Sequence, residues 1–238
     1  MHSYLRCAPS ILCLLLFALV LGCGGDSEPP PESPDANSGQ PPQVPTEGAA
    51  QSPPKEPDPE TPPPPPRVKI KTSKGEIYVV LHPERVPQTV SNFLGYVDRD
   101  FYANTVFHEV IADYAIVGGG YLEDLSQKPP TELAIPNEAK NAASNTRGTI
   151  AMARKIDQPD SAKCQFFFNL RDNSSNDYVG PAPNSTLPQN PGYCVFGHVD
   201  DEQSLLILER IGAVAVESRG GMFDVPTIPI VIEGITRL

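Results

Sequence analysis

The sequence predicts a mainly β domain, a closed β barrel capped by two helices, preceded by a long proline-rich region. Three observations support this fold class. Many short segments have strand-like apolar patterns, two segments have helical spacing, and the composition changes abruptly at Arg67. Many strands and two helices within about 170 residues favour a barrel over an open sheet. No internal repeat is visible in the sequence.

The first half of the domain is predicted to contain a hairpin, a helix and two strands. The segment VKIKTSKGEIYVVL has two alternating runs joined by Ser73-Lys74-Gly75, which is a hairpin signal. In VPQTVSNFLGYVDRD, apolar residues from Val90 to Val97 recur at helical spacing after Pro87. The segments TVFHEVI and YAIVGGG are predicted strands.

The second half is predicted to contain four more strands and the second helix. The segments GTIAMAR, CQFFFNL and YCVFGHV have the apolar character of strands. The segment DEQSLLILERIG is predicted to be a helix with an acidic first turn and Gly212 after it. The segment IPIVIEGITRL is predicted to be the closing strand.

Residues 1–23 are predicted to be a targeting segment. Arg6 gives a positive start, and the apolar run that follows is too short to span a bilayer alone. The run ends in VLGC, which resembles the lipobox of bacterial lipoproteins. Cys23 is therefore the expected lipidation site, and we expect an exported protein tethered to a bacterial membrane, facing the periplasm or the exterior. An ordinary signal peptide with a chance cysteine is the alternative.

Residues 24–66 are predicted to be a disordered tether. They contain eight acidic residues and one Lys, many prolines and no aromatic residue. Such a segment buries too little apolar surface to offset the entropy lost on ordering. The five prolines from Pro62 to Pro66 favour extended polyproline, a stiff spacer before the domain of residues 67–238. Binding of this segment to an aromatic groove is the alternative.

Charge and composition argue against several kinds of site. The chain's net charge is −11, of which residues 24–66 carry −7 and the first 23 residues +1, so residues 67–238 carry −5. This domain lacks the clustered Lys and Arg that bind phosphates, so nucleic acid is not an expected partner. No spacing of Cys or His indicates a metal site, and no cofactor is expected.

The remaining cysteines and histidines are expected to be structural. Cys164 and Cys194 both lie in apolar runs, which favours buried free thiols, although an exported protein could join them in a disulfide. His82 and His108 are expected to be structural or surface residues rather than catalytic ones.

Four segments together resemble the cyclophilin family of peptidyl-prolyl cis-trans isomerases in its bacterial form. They are FYANTVFHEVIADYAIVGGG, NEAKNAASNTRGTIAMAR, CQFFFNL and GYCVFGHV, in the family's order and at similar separations. The resemblance covers residues 67–238 nearly end to end and implies an eight-stranded antiparallel barrel with two helices. We therefore expect a monomer whose partners are Xaa-Pro segments of unfolded or flexible proteins.

The chemistry that the resemblance implies needs neither a nucleophile nor a metal. Rotation about an Xaa-Pro bond breaks amide resonance, with a barrier of about 18–20 kcal/mol. An enzyme needs an apolar proline pocket, groups that hold the flanking backbone, and a donor that favours the twisted amide. By position, the resemblance implies Tyr114 and Phe167 in the pocket, Gln165 on the substrate backbone, Ala153 and Arg154 along the peptide, and Tyr193 at the rim.

Glu109 departs from the family pattern at the position of the catalytic arginine, which donates to the prolyl nitrogen. An ionised carboxylate accepts hydrogen bonds but donates none. Val117 replaces the glutamine that holds the arginine, and Ala115 replaces a methionine of the pocket wall. Ser175 and Asn176 stand where bacterial members have an aromatic-Leu pair. The site has therefore changed as a unit.

Three functions are compatible with this pattern. The first is a peptidyl-prolyl isomerase that assists the folding of exported proteins, with weak activity because of Glu109. Arg154, oriented by Glu109, is a rival source of the donor, and in that case the wild type would be fast. The second is a catalytically inactive module that binds Pro-containing peptides. The third is a scaffold whose working surface lies elsewhere, and no feature of the sequence favours it.

Overall fold

The computed structural model describes residues 64–238. The predicted signal peptide, the lipidation site at Cys23 and the tether up to residue 63 lie outside the described residues. The strands are β1 Arg67–Thr72, β2 Gly75–Leu81, β3 Thr105–Ile111, β4 Ala115–Leu122, β5 Thr149–Met152, β6 Phe166–Asn169, β7 Val179–Pro181, β8 Pro188–Asn190, β9 Val195–Val199, β10 Val216–Arg219, β11 Met222–Pro226 and β12 Ile230–Arg237. The helices are α1 Pro87–Asp98 and α2 Glu202–Gly212. Neither helix is long and apolar enough to cross a membrane.

Eight strands form a closed antiparallel barrel in the order β1-β12-β3-β4-β6-β5-β9-β2. Each strand pairs with two neighbours, so closure removes the free edges of the sheet. The mainly β, eight-stranded antiparallel barrel with two helices that the sequence predicts is therefore confirmed. The two remaining strand pairs, β7–β8 and β10–β11, form small hairpins outside the barrel.

The barrel interior is filled by side chains that alternate along each strand. In β1, for example, Val68, Ile70 and Thr72 are buried while the residues between them are not. Helix α1 packs its Phe93 ring 4.9 Å from the Phe196 ring, measured between centroids, so this helix shares the barrel's core. The apolar residues whose spacing predicts α1 therefore form the face that the helix buries.

A carboxylate accepts hydrogen bonds at the N-terminus of each helix. In α2 it belongs to the N-cap residue, whereas in α1 it comes from a distant loop. Asp201, the N-cap of α2, accepts from the backbone N–H of Ser204 at 2.7 Å. Helix α1 has no side-chain cap of its own. Glu138, from the loop between β4 and β5, instead accepts from the backbone N–H of Thr89 at 2.8 Å and from its hydroxyl at 2.7 Å. The cap of α1 thus also anchors that long loop.

Both cysteines of the domain are free thiols and buried, as the sequence favours. Burial raises the pKa of Cys164 and of Cys194 to about 11, so both remain protonated at neutral pH. The sulfur of Cys194 lies 3.4 Å from the hydroxyl of Thr89. These thiols behave as small core residues rather than as reactive groups.

The two hairpins outside the barrel were not predicted from the sequence. The residues of β10 are mostly exposed, so they lack the apolar alternation on which strand prediction depends. Its turn contains Gly220 and Gly221, both with positive φ, which suits a residue without a side chain. The end of α2 was also placed wrongly, because Gly212 is the last helical residue and does not follow the helix.

Candidate functional site

A row of side chains crosses five barrel strands and forms the base of the candidate site. Consecutive strand pairs place Glu109 opposite Val117, Val117 opposite Phe167, Phe167 opposite Ala151, and Ala151 opposite Val195. Neighbouring strands lie about 4.8 Å apart, so the backbone of Glu109 is roughly 10 Å from that of Phe167. The position of the missing arginine and the predicted pocket aromatic therefore lie in one row.

Four of the five residues in this row, all except Glu109, belong to a second apolar cluster, separate from the barrel core, which we call the groove cluster. Its buried members are Ala115, Ala151, Phe167 and Val195, and its partly buried members are Tyr114, Val117, Ala142, Ala143, Ala153 and Tyr193. The rings of Phe167 and Tyr193 meet edge to face, with centroids 5.5 Å apart. Four predicted site residues, Tyr114, Ala153, Phe167 and Tyr193, are thus brought together in an apolar surface with aromatic groups.

Gln165 lies beside the groove cluster, at a cavity of about 690 Å³ that Ala153 and Arg154 also line. Its side chain passes close to the backbone of Gly120, where an added Cβ would lie 2.4 Å from Cγ of Gln165. The side-chain amide of Gln165 makes no hydrogen bond to another described residue, so it is available to a ligand. A free amide can donate to a carbonyl and accept from an N–H of a peptide backbone.

Arg154 is held against Tyr193 and is oriented by backbone carbonyl groups. Its Cζ lies 4.3 Å from the Tyr193 ring centroid. Its Nε donates to the carbonyl oxygen of Gly192 at 2.9 Å, and Nη1 donates to those of Lys155 and Ile156 at 3.0 and 2.8 Å. Within residues 64–238, Glu109 is not among its partners. The expectation that Glu109 orients Arg154 is therefore wrong.

Tyr114 is tied to the loop that follows β6. Its hydroxyl donates to Oδ1 of Asn176 at 3.0 Å, and the guanidinium of Arg171 lies 5.4 Å from its ring centroid. Asn176 stands where the family resemblance places a leucine. A leucine could make no such bond with Tyr114, so the hydrogen bond gives this departure a structural reason.

Three buried asparagines lie beneath the groove, and the sequence analysis missed them. Asn169 donates to Asn145 at 3.2 Å, and Asn173 donates to Asn169 at 2.8 Å. Asn173 also donates to the carbonyl oxygen of Tyr114 at 3.0 Å, and Asn145 donates to that of Tyr193 at 3.2 Å. A satisfied buried amide network is costly to rearrange, so it fixes the spacing of the two tyrosine backbones.

Glu109 is half-buried on β3, and β11, which carries Asp224, packs against this strand. Burial raises the pKa of Glu109 above its ordinary value, and the negative charge of Asp224 on β11 raises it further, as the smaller of the two causes. No hydrogen bond or ion pair from another residue within 64–238 satisfies the Glu109 carboxylate. The arginine position thus carries an acceptor in an electronegative setting, where the family's chemistry uses a donor.

His108 occupies a bulge in β3, directly before Glu109. Phe107 pairs with Gly118 and Glu109 pairs with Val117, so His108 is the extra residue between two successive pairs. It is 4% exposed, and its Nδ1 finds no partner among the described residues. Burial lowers its pKa to about 4. His108 is therefore a neutral packing residue at pH 7, as expected.

Comparisons with known proteins show which family the chain is similar to. Residues 67–237 match the sequence profile described as cyclophilin type peptidyl-prolyl cis-trans isomerase/CLD. The chain is 42% identical over 166 residues to peptidyl-prolyl cis-trans isomerase cyp18 of Streptomyces antibioticus, covering 70% of this chain and 95% of that protein. It is 40% identical over 169 residues to peptidyl-prolyl cis-trans isomerase B of Escherichia coli, covering 71% and 98% respectively.

Solved structures show a similar fold. A cyclophilin-type isomerase of Cryptosporidium parvum superposes with a TM-score of 0.57 at 23% identity, covering 73% of this chain and 97% of that one. A second structure of that protein, solved in the presence of the dipeptide Ala-Pro, gives a TM-score of 0.56 at 24% identity, covering 71% and 96%. At this identity the likeness shows the fold alone.

The burial of His108 predicts a loss of stability in mild acid. Its folded pKa of about 4 lies below the unfolded value of about 6.5, so the unfolded state binds the proton first. The contribution is fully present above pH 6.5 and is lost as the pH falls toward 4, by at most about 3 kcal/mol. Urea denaturation across this range should show a shallower decline for His108→Leu than for the wild type.

His198 is exposed, but its Nδ1 lies 2.8 Å from Nε2 of His82, whose pKa burial also lowers. His198→Gln therefore controls for this pair and should leave the decline caused by His108 in place. Comparing each variant with the wild type removes the contribution that carboxylates make below pH 5. If His108→Leu loses stability with falling pH as steeply as the wild type, another group is responsible for the acid sensitivity.

Proposed function

The chain belongs to the cyclophilin-type peptidyl-prolyl cis-trans isomerase family, and from this premise we propose that it acts slowly on Xaa-Pro segments of unfolded or flexible exported proteins. The observation that carries the proposal is the row from Glu109 through Val117 to Phe167. The row combines an apolar groove for a proline ring with a carboxylate at the position where a hydrogen-bond donor would accelerate the reaction.

The groove supplies most of what the reaction needs without a polar catalyst. Phe167, Tyr114 and Tyr193 give an apolar surface against which a proline ring can pack, and the free amide of Gln165 can hold the neighbouring backbone. Binding that favours the twisted amide over either planar form lowers the barrier, whatever the group at position 109. This binding is the source of the activity that we propose the protein retains.

The donor to the prolyl nitrogen is the missing element. As the amide twists, the nitrogen regains its lone pair, and a hydrogen-bond donor stabilises that state while an ionised carboxylate repels it. Donors at comparable positions in other reactions are worth about 2.7–4 kcal/mol, or a hundredfold to a thousandfold in rate. Arg154 does not take this role in our proposal, because Tyr193 and three carbonyl groups already hold it.

A binding module with little or no turnover is the second candidate function. The unpaired carboxylate of Glu109 favours it, since nothing in the described part of the chain converts that group into a donor. Both candidates use the same groove and predict binding of proline peptides. They differ in whether the bound peptide exchanges between cis and trans faster than it does in free solution.

We also propose that the protein is exported and anchored by lipid at Cys23 to a bacterial membrane, with a monomeric domain facing the periplasm or the exterior. The support is the sequence of the first 23 residues: a positive start, a short apolar run and the lipobox-like ending. The acidic, proline-rich residues 24–66 would then hold the domain away from the membrane surface.

The missing-donor account predicts coupling between positions 109 and 117. Glu109→Arg alone should recover little activity, because Val117 offers the guanidinium no hydrogen bond and Asp224 competes for it. Glu109→Arg with Val117→Gln should recover more, since the glutamine stands directly opposite and can fix the arginine. In cis-trans exchange assays on an Xaa-Pro peptide, the combined gain in activation free energy should exceed the sum of the single gains.

Two further variants make this rate experiment decisive. Glu233→Arg changes charge on β12, away from the groove, and should leave the rate at the wild-type value. Arg154→Ala tests the rival donor. A fast wild type that Arg154→Ala slows, together with no gain from the double change at 109 and 117, would reject the missing-donor account.

The proposed anchor predicts fatty-acid attachment at one cysteine. When the full chain is expressed in a bacterial host with a labelled fatty acid, the wild type should carry the label and partition with membranes. Cys23→Ser should do neither. Cys7 and Cys13 lie within the predicted targeting segment, so Cys13→Ser serves as the matched control and should be labelled normally. Equal labelling of the wild type and Cys23→Ser would exclude the lipoprotein assignment.

A further inference from the structure

We propose that Glu109, with Asp224 beside it, makes the groove selective for proline segments that carry a Lys or Arg within about two residues of the proline. This inference rests on the proposed function, because it requires that the groove bind proline-containing peptides. In this proposal Glu109 lacks the hydrogen-bond donor of the family arginine but determines which peptides bind.

The place of Glu109 in the cross-strand row sets the reach of such a contact. Its backbone lies two strands from Phe167, roughly 10 Å away. An extended peptide advances about 3.3 Å per residue, so a residue next to a proline on Phe167 lies within one long side chain of Glu109. Lys and Arg have long flexible stems that can cover this distance while their charged ends approach a carboxylate.

The carboxylates of Glu109 and Asp224 are both unsatisfied within the described part of the chain. Neither accepts a hydrogen bond or forms an ion pair with another residue in 64–238. Other carboxylates of the surrounding loops are engaged: Asp177 accepts from Asn145, and Asp160 accepts from the backbone N–H of Asn137. The contrast separates acidic groups that organise the loops from Glu109 and Asp224, which are free to take a partner.

No Lys or Arg within residues 64–238 forms an ion pair with Glu109. The guanidinium of Arg154 is held by Tyr193 and by backbone carbonyl groups. The guanidinium of Arg171 lies over Tyr114 and donates through Nε to Asn173. A cation from the substrate would therefore be the first to compensate the two negative charges.

Because Glu109 is half-buried, an ion pair between it and such a cation would contribute more binding free energy than an ordinary surface ion pair. Exposed pairs contribute little because water screens both charges and the long side chains lose entropy. A bound peptide would exclude water from Glu109 and add a positive charge between two carboxylates that repel each other. The interaction would relieve that repulsion and would discriminate against acidic neighbours of the proline.

The experiment uses the full-length protein in detergent and three fluorescent peptides that differ only in the residue before the proline: Lys, Gln or Glu. At low salt the Lys peptide should bind about five- to tenfold more tightly than the Gln peptide, and the Glu peptide should bind most weakly. Raising the salt concentration should shrink these differences, because the selective interaction is electrostatic.

Three variants assign the preference to the two carboxylates. Glu109→Gln should reduce the preference for Lys over Gln to about twofold or less while the protein still binds the Gln peptide. Asp224→Asn should reduce it partly. This change preserves the backbone, since Asp224 has a φ of 54° and asparagine also tolerates that conformation. Glu233→Gln removes the same charge on β12, where it pairs with Lys71, and should keep the full preference.

The outcomes separate this inference from the proposed function. Clear binding of all three peptides with equal affinity would overturn the selectivity and leave the groove assignment intact. A preference that survives Glu109→Gln unchanged would overturn the role of Glu109. Failure of every proline peptide to bind would overturn both the selectivity and the proposed function.

Discussion

The two-residue alternation of β6 is the constraint on which the rest of the site depends. Phe166 and Phe168 are fully buried in the barrel core, and Phe167 between them belongs to the groove cluster. A shift of one residue would send two aromatic rings out of the core and bury the third in it. Because core packing fixes this register, it also fixes the position of Phe167 relative to Val117, and through Val117 relative to Glu109.

Polar contacts then hold the loops against this rigid row. Glu138 joins the long loop after β4 to the start of α1, and the three buried asparagines join the strands and loops beneath Tyr114 and Tyr193. The asparagines are buried and Glu138 is partly buried, and all of them are hydrogen-bonded, so they preorganise the groove before a peptide arrives. Glu109 is the opposite case, a half-buried carboxylate without a partner in the described residues. In our account that unsatisfied group is what gives the groove both its slow chemistry and its selectivity.

The sequence was sufficient to predict the barrel, but not the contacts that connect the candidate site. Apolar alternation identifies the core of each barrel strand, and the family resemblance singles out Phe167 among three successive phenylalanines. The sequence could not show that Asp224 lies near Glu109 or that Glu138 caps α1, because these partners lie far apart in the chain and no local pattern links them. The short hairpins were missed for a related reason. They lie outside the barrel, so burial imposes little alternation on their residues.

The central claim is that the face around Phe167, Val117 and Glu109 is the peptide-binding groove. NMR titration of the protein with a short Lys-Pro peptide tests it most directly, because backbone amide shifts report contact residue by residue. Our account predicts shifts that cluster at Gln165, Phe167, Val117 and Glu109 and extend to the neighbouring loop around Tyr193. Shifts confined to the far side of the barrel, on β1 and β12, would contradict it and move the working surface elsewhere.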